Sequence, residues 1–326
     1  MHMLTMNRSV FVHRMSSQTS YSWANLPHDL LFSITENLDV TTTIRLSAVC
    51  TSWASKIHPC LPSFPSIRCD QPIPWLLCSA RNSDTNPNCS VLTFYDLSTT
   101  AYFYVRIPIP SLYEHQWMGS YKSWLVTLDQ QLQLHFIKPL TDTHVIVPCN
   151  DIRKRHPKKV IMCENPDNSN ELHAYCLTQQ GLLFSGKLED KKWSWMADHG
   201  AGYEDITIHQ EKVYTISRDT LCYWNLRSPY NKRTITNVFW TVNMTKYLLE
   251  WKGELVMLII DKEEWVSLEN QTEKRVLLCE IKFGPDGDVI WCRFVDTLED
   301  DALFIGANCS YAVSSFDHEN FIYFTN

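Results

Sequence analysis

Three histidines (His135, His173 and His209), the acidic triple Glu299-Asp300-Asp301 and the basic run "IRKRHPKKV" (152–160) are the residues of this 326-residue chain whose types could do chemistry. Imidazoles serve as general bases or metal ligands, neighbouring carboxylates form acid pairs or cation sites, and a basic cluster can touch nucleic acid or act as a nuclear import signal. Their spacing argues against each use. No histidine forms H-x-H or H-E-x-x-H, and the 12 cysteines, scattered from Cys50 to Cys309, contain no C-x-x-C pair. The histidines fall in alternating strand patterns, where a structural or surface position is expected. The acidic triple reads as a solvated loop ahead of the strand "ALFIG", and the basic run as a solvated loop between strands. The nine glycines, none before Gly119, make neither G-x-G-x-x-G nor G-K-[ST], so no phosphate-cradling loop is visible. The sequence therefore assigns no catalytic, cofactor-binding or metal-binding residue, and no cofactor.

Composition narrows the class further. A formal charge of −7, from 29 basic and 36 acidic residues, argues against a general nucleic-acid binder, and 44% hydrophobic residues supply an ample core. No segment has 18 continuous apolar residues, so no membrane span is expected, and the first 22 residues lack the apolar core of a secretory signal. Reduced thiols in cytoplasm or nucleus are the expected state. The leader carries Arg8 and Arg14 and no acid, a weak organelle-targeting pattern. Residues 1–22 are read as a disordered extension, with Met15 as an alternative start.

With no catalytic constellation, the element that stands out is "WANLPHDLLFSITENL" (23–38), a helical phrase in front of a β-rich chain. Pro27 suits the first position of a helix and Asp29 places a negative charge in the first turn. Leu30, Leu31, Ile34 and Leu38 then make one apolar stripe. After a break at Asp39-Val40, "TTTIRLSAVCTSWASKI" (41–57) continues the period with Ile44, Leu46, Val49, Cys50, Trp53 and Ile57. Two or three short helices in about 35 residues are too few for an independent core. A partner is expected to share the stripe.

These residues resemble the F-box, the helical module by which substrate receptors attach to the Skp-type adaptor of a cullin–RING ubiquitin ligase. The resemblance rests on Leu26-Pro27, Asp29-Leu30-Leu31, Ile34 and Leu38, followed by Leu46, Val49-Cys50 and Trp53. It implies adaptor contact through Leu26, Pro27, Leu30, Leu31, Ile34, Val49, Cys50 and Trp53. Thr51-Ser52 and Ala54-Ser55 lack the basic residue often found after this tryptophan in F-boxes, which puts affinity in question.

Five of the 15 prolines (Pro59, Pro62, Pro65, Pro72 and Pro74) crowd residues 58–74 and predict a stiff linker. Beyond it the pattern changes to short β-branched and aromatic runs that repeat. "LVTLDQQLQLHFIKPLT" (125–141), "AYCLTQQGLLFSGKLED" (174–190) and "VYTISRDTLCYWNLRSP" (213–229) each read as strand, polar turn, strand, break. Leu128, Leu177 and Ile216 align at intervals of 49 and 39 residues, with looser copies near Cys78 and Leu258. Such a period with about four strands per unit is the signature of a β-propeller, here of five or six blades; a pair of stacked sandwiches is the rival fold. The final "FIYFTN" stops in what reads as the middle of a blade. Either an early strand, around "IRC" (67–69) or "WLLCSA" (75–80), completes that blade, or Phe321 to Phe324 lies on an open edge.

Residues 74–326 also resemble the domain behind the F-box in a large plant family, the DUF 295 or KIB-type β-propeller proteins. The resembling phrases start at Gly119, Asp205 and Tyr247 and include "LEDDALFIGANCSYAVSSFDHENFIYFTN". The expected architecture is α+β and multidomain: leader 1–22, helical F-box 23–57, linker 58–74 and a mainly β, propeller-like domain 75–326, its last blade incomplete in one outcome. The resemblance implies a non-catalytic substrate-recognition subunit of an SCF-type E3 ubiquitin ligase. Its partners would be a Skp-type adaptor, through it a cullin, and an unknown protein target on the propeller, with no nucleic acid and no membrane. Two alternatives stay open, a non-proteolytic F-box/propeller interaction protein and a propeller hydrolase. The hydrolase would show a cluster of titratable groups around the central channel.

Overall fold

The structure, a computed structural model, describes residues 23–38, 40–47, 49–57, 75–97, 100–141, 143–149, 152, 156–196, 202–218, 220–236, 244–261, 265–266, 272–273, 276–284, 289–313 and 320–325. The chain divides into two compact units, Met1–Pro72 and Ile73–Asn326. The expected leader (1–22), Asp39 and the expected linker (58–74) lie outside the described residues.

The first unit is helical. A single 3-10 turn, Trp23–Asn25, precedes α1 (His28–Thr35), α2 (Val40–Ser47) and α3 (Thr51–Ile57). Pro27 stands at the N-cap of α1, one place earlier than its sequence position suggested, and Asp29 occupies the first turn. That shift is small in physical terms, since Pro27 still lies where no intrahelical N–H bond is needed. The second half of the apolar phrase forms two helices, so the unit has the larger of the two helix numbers expected, with Val49 and Cys50 between α2 and α3.

Among the described residues the second unit holds twenty-four strands. The first sheet holds β1 (Trp75–Asn82), β2 (Ser90–Asp96) and β3 (Ala101–Ile107), and the second holds β4 (Gln116–Tyr121), β5 (Trp124–Leu128), β6 (Gln133–Lys138) and β7 (Thr143–Pro148). The third holds β8 (Pro157–Asn165), β9 (Asn168–Thr178), β10 (Leu183–Lys187) and β11 (Ser194–Trp195), and the fourth β12 (Asp205–His209), β13 (Lys212–Ile216), β14 (Thr220–Asn225) and β15 (Ser228–Thr236). The fifth holds β16 (Met244–Trp251), β17 (Glu254–Asp261), β20 (Val276–Phe283) and β21 (Val289–Val295), with the small hairpin β18 (Trp265–Val266) and β19 (Thr272–Glu273) inserted between its second and third strands. The sixth holds β22 (Ala302–Gly306), β23 (Ser310–Val313) and β24 (Phe321–Thr325). This is a six-bladed β-propeller, and the stacked-sandwich alternative is set aside.

The repeat seen in the sequence is the blade. Leu128, Leu177 and Ile216 fall at or beside the end of β5, β9 and β13, the second strand of three successive blades, and Leu258 lies on β17, the second strand of the fifth. The copy near Cys78 is displaced by one strand, because Cys78 lies on β1, the first strand of its blade.

Blades touch through the strand at one edge of each sheet, the first in chain order except in the sixth blade, where it is β23: β4 meets β8, β8 meets β12, β12 meets β16 and β16 meets β23. The approach is close. A Cβ on Gly119 of β4 would lie 2.0 Å from the Val160 carbonyl oxygen of β8, so only glycine fits there. One buried carboxylate spans three of these strands. Asp205 on β12 accepts from Lys159 Nζ of β8 at 2.7 Å through Oδ1, and from the Leu248 N–H of β16 at 2.8 Å through Oδ2. Lys246, also buried on β16, donates to the carbonyl oxygens of Ser217 (3.4 Å) and Arg218.

The loop reading of the basic run is corrected by this arrangement, and the acidic triple, which does lie in the turn ahead of β22, is corrected only in the burial of Asp301. Lys158 and Lys159 belong to the inner strand β8, and Lys159 is buried in an ion pair; Arg153, Lys154 and Arg155 lie outside the described residues. Asp301 is also buried, accepting from Trp251 Nε1 at 2.8 Å, whereas Asp300 is exposed and an exposed Glu299 pairs with Lys252 at 2.5 Å. In both cases a long-range partner drew a charged residue inward, which local composition does not show.

Ring closure relies on side chains. Ala302, Phe304 and Val313 of the sixth blade pack with Leu76 and Leu97 of the first. Among the described residues β1 pairs with β2 alone, so "WLLCSA" does not complete the last blade; "IRC" lies outside them. β24 runs parallel to β22 and forms the edge of its sheet, with Phe321 and Phe324 56% and 54% exposed.

Two outcomes are expected. Asp205→Ala should lower unfolding stability by about 3–5 kcal/mol, since it strands the Lys159 ammonium and the Leu248 N–H, while Lys122→Ala, which removes the exposed ion pair of Lys122 with Glu164 (2.6 Å), should cost about 1 kcal/mol or less; urea denaturation of the two variants compares them. Amides of β24 should exchange with deuterium about tenfold or more faster than those of the doubly paired β22. Equal protection in hydrogen-exchange mass spectrometry would mean that the β24 edge is covered.

Candidate adaptor-binding site

The eight residues singled out in the helical unit separate by what they touch. Leu31 and Trp53 face inward, 1% and 8% exposed, and Ile57 is buried as well. The Trp53 indole Nε1–H donates to the Trp23 carbonyl at 2.8 Å, which fixes the ring and ties α3 to the 3-10 turn. Lys56 Nζ donates to the Leu26 carbonyl at 2.7 Å and holds the entry to α1 from the same helix. Thr35, Thr43 and Ser47 complete the interior, and the Thr35 hydroxyl is satisfied by the carbonyls of Leu31 (3.1 Å) and Phe32 (2.8 Å).

The remaining residues look outward. Leu30, Ile34 and Val49 are 55%, 42% and 63% exposed. Pro27 is exposed too, while Leu26 and Cys50 are half-buried. Leu30 and Ile34 stand four residues apart on α1, so they share one face, with Pro27 at its N-terminal end. Three large aliphatic side chains therefore lie in water on a unit of three short helices. The arrangement offers no nucleophile or acid–base pair; its chemistry is apolar burial against another surface.

Trp23 belongs to the same unit, is 76% exposed, and was missed by sequence reasoning, although it opens the phrase in which the stripe was read. Periodicity starts at the first helix and gives no weight to a residue in the turn before it.

The other sequence candidates do not join this site. His209 Nδ1 of β12 pairs with Glu250 Oε2 of β16 at 2.7 Å, and His173 Nε2 pairs with Glu171 Oε1, two residues before it on β9, at 2.7 Å. Lys187 and His173 together hold the Glu171 carboxyl down at about 2. His135 lies against Asp129 at 3.1 Å.

Comparison with known proteins follows the same division of the chain. Residues 23–61 match the F-box-like family and residues 94–326 match the family described as KIB1-4 beta-propeller. Among Arabidopsis thaliana proteins, putative F-box protein At4g17565 is 27% identical over 126 residues, covering 39% of this chain and 32% of the relative. Putative F-box protein At4g22660 is 24% identical over 133 residues, covering 40% and 32%. F-box protein At2g05970 is 23% identical over 214 residues, covering 63% and 54%. The chain thus spans between about a third and about a half of the length of these relatives. With the propeller match covering most of its residues behind an F-box-like segment, the chain belongs to the KIB1-4 β-propeller family.

Proposed function

We propose that the chain is the substrate-recognition subunit of an SCF-type E3 ubiquitin ligase. In this reading the helical unit docks on a Skp-type adaptor, the adaptor carries a cullin, and the propeller holds a protein target. The observation that carries it is the exposed set Leu30, Ile34 and Val49 on an F-box-like unit whose interior already holds Leu31 and Trp53. Pro27, Leu30, Ile34 and Val49 then make the direct contact, flanked by Leu26 and Cys50. Leu31 and Trp53 keep the helices in the arrangement that presents them.

The mechanism is proximity. No bond is made by the receptor itself; it raises the target's effective concentration beside the ubiquitin-charged enzyme, so that transfer becomes effectively intramolecular. The proposed location is cytoplasm or nucleus, a reading that rests on the scattered cysteines of the sequence, which make no C-x-x-C pair, and on the reduced thiols expected of those compartments.

Burying one aliphatic side chain contributes about 1.5–3 kcal/mol. Leu30→Ser with Ile34→Ser should therefore weaken adaptor binding by about a hundredfold or more, while circular dichroism and the melting temperature stay close to wild type because both positions are exposed. Retained wild-type affinity in a pull-down and by calorimetry would overturn the docking surface.

The same double variant tests the ligase reading in cells. Proteins captured by the wild-type chain and enriched by proteasome inhibition are its targets. Overexpressing the variant should raise their half-lives, since it occupies targets without delivering them. Unchanged half-lives for every captured protein would favour a non-proteolytic role.

A further inference from the structure

The second blade carries a depression of about 400 Å³, bounded by the connection from β3 to β4, the turn between β5 and β6 and the outer strands β6 and β7. Its walls come mainly from Pro108, Ile109, Pro110 and Ile146, and its polar end from Glu114, Asp129 and three imidazoles. The His135 and His144 rings stack with centroids 5.0 Å apart and planes 25° from parallel, and the His115 ring stands edge-on to His135 at 4.7 Å. Ile109 and His135 are buried, whereas Pro108, Pro110, Glu114 and His144 are exposed, so the polar end is reached from solvent.

Hydrogen bonding makes that end a set of acceptors. Asp129 Oδ2, 3.1 Å from His135 Nε2, fixes the ring's N–H on that nitrogen, and its Oδ1 accepts the Gln133 N–H at 2.7 Å. His135 Nδ1 is then the acceptor toward His144 Nε2, 2.9 Å away, and His144 Nδ1 keeps a lone pair. Glu114 accepts from the Tyr113 hydroxyl at 2.7 Å and from Gln130 Nε2 at 3.2 Å, one bond on each oxygen, which leaves each oxygen a further lone pair. Burial, and after it proximity to His135, holds His115 and His144 below the usual imidazole range, so both are neutral near pH 7. With two carboxylates and, among the described residues, no lysine or arginine in its lining, the depression is negative. No three His, Cys, Asp or Glu side chains among the described residues are placed to hold a metal ion. The complement of mainly apolar walls with dispersed acceptors at one end is an organic cation on an apolar stem.

We propose that this depression seats an arginine side chain of a protein target, an inference that rests on the reading of the propeller as the part that holds the target. The aliphatic stem lies along the proline and isoleucine walls. The guanidinium is planar, so it stacks on the exposed His144 ring, and its fixed fork of N–H donors serves Glu114 and the His144 Nδ1 lone pair. Lysine fits less well, because its ammonium is a strongly hydrated point charge with no flat face to lay against a ring.

The test titrates the tag-free full chain, carrying isotope-labelled histidine, with a capped glycine–arginine–glycine peptide and with its lysine and citrulline counterparts, while NMR follows the histidine rings. The peptide needs no adaptor, so its failure strikes the arginine site alone, whereas the adaptor measurements on Leu30→Ser with Ile34→Ser strike the receptor reading. The arginine peptide should shift the His115, His135 and His144 resonances saturably and bind about tenfold or more tighter than the citrulline peptide, which has nearly the same shape and no charge. Glu114→Gln should weaken it by about tenfold and His144→Ala by about threefold or more, with unchanged circular dichroism in both. Glu189→Gln, which removes an exposed carboxylate of the third blade, should leave the affinity as in wild type. Four results would overturn the proposal: no saturable shift with the arginine peptide, equal affinity for the citrulline or lysine peptide, wild-type affinity in folded Glu114→Gln or His144→Ala, or an equal loss in Glu189→Gln.

Discussion

A propeller is held by what happens where its blades converge, and here the decisive interaction is the buried Asp205 carboxylate. Its two oxygens accept from Lys159 of the third blade and from the Leu248 amide of the fifth, so one residue of the fourth blade fixes the spacing of three inner strands. A buried charge is tolerable only with its partners in place, which turns the contact into a geometric requirement. Gly119 imposes the matching constraint between the second and third blades, where the Val160 carbonyl leaves no room for a Cβ. Around these points each pair of neighbouring blades forms its own apolar layer. The cluster around Val126 and Phe136 joins the second blade to the third, and the one around Tyr214 and Met257 joins the fourth to the fifth. The polar contacts set position, and the apolar layers supply most of the burial.

The ends of the ring are held differently. Among the described residues four blades have four strands in their main sheets, whereas the first and sixth have three, and the seam between those two is closed by Phe304, Ala302 and Val313 against Leu76 and Leu97. Side-chain packing is non-directional, so it can close the seam without any strand crossing it. It leaves the backbone edges of β3 and β24 unpaired among the described residues. β15 and β21 at the outer edges of the fourth and fifth blades carry Lys232, Arg233 and Arg293 and have register shifts, features that discourage edge-to-edge pairing. β24, "FIYFT", has no charge to serve that purpose.

Much of this was legible in the sequence, for identifiable reasons. The strand–turn–strand units around Leu128, Leu177 and Ile216 recur because each blade repeats the same local pairing, and local pairing leaves a local pattern. The stripe of Leu30, Leu31 and Ile34 marked the helical unit for the same reason. Which side chain of the stripe faces inward was not legible: Leu30 and Leu31 are adjacent in sequence and about 100° apart on the helix, and the packing of α3 through Trp53 decides between them. Long-range partners were equally silent. Lys159 and Asp205 lie 46 residues apart, and Asp301 meets Trp251 at a separation of 50. The histidine cluster escaped motif reasoning because His115, His135 and His144 reach one pocket from separate stretches of chain.

The helical unit and the propeller reach stability by opposite routes, and the difference bears on function. The propeller surrounds each inner strand with neighbouring blades, so that even its buried charges find partners within the chain. The helical unit places Leu31, Trp53 and Ile57 inside, fills the remaining interior with small hydroxyl residues, and satisfies the Thr35 hydroxyl from its own helix. Its interior polar groups therefore make no demand on a partner, and what is left unpaired with anything is apolar surface: Leu30, Ile34 and Val49. A surface of that kind binds by burial alone, which is tolerant of sequence change at its rim and sensitive to loss of its central aliphatic side chains.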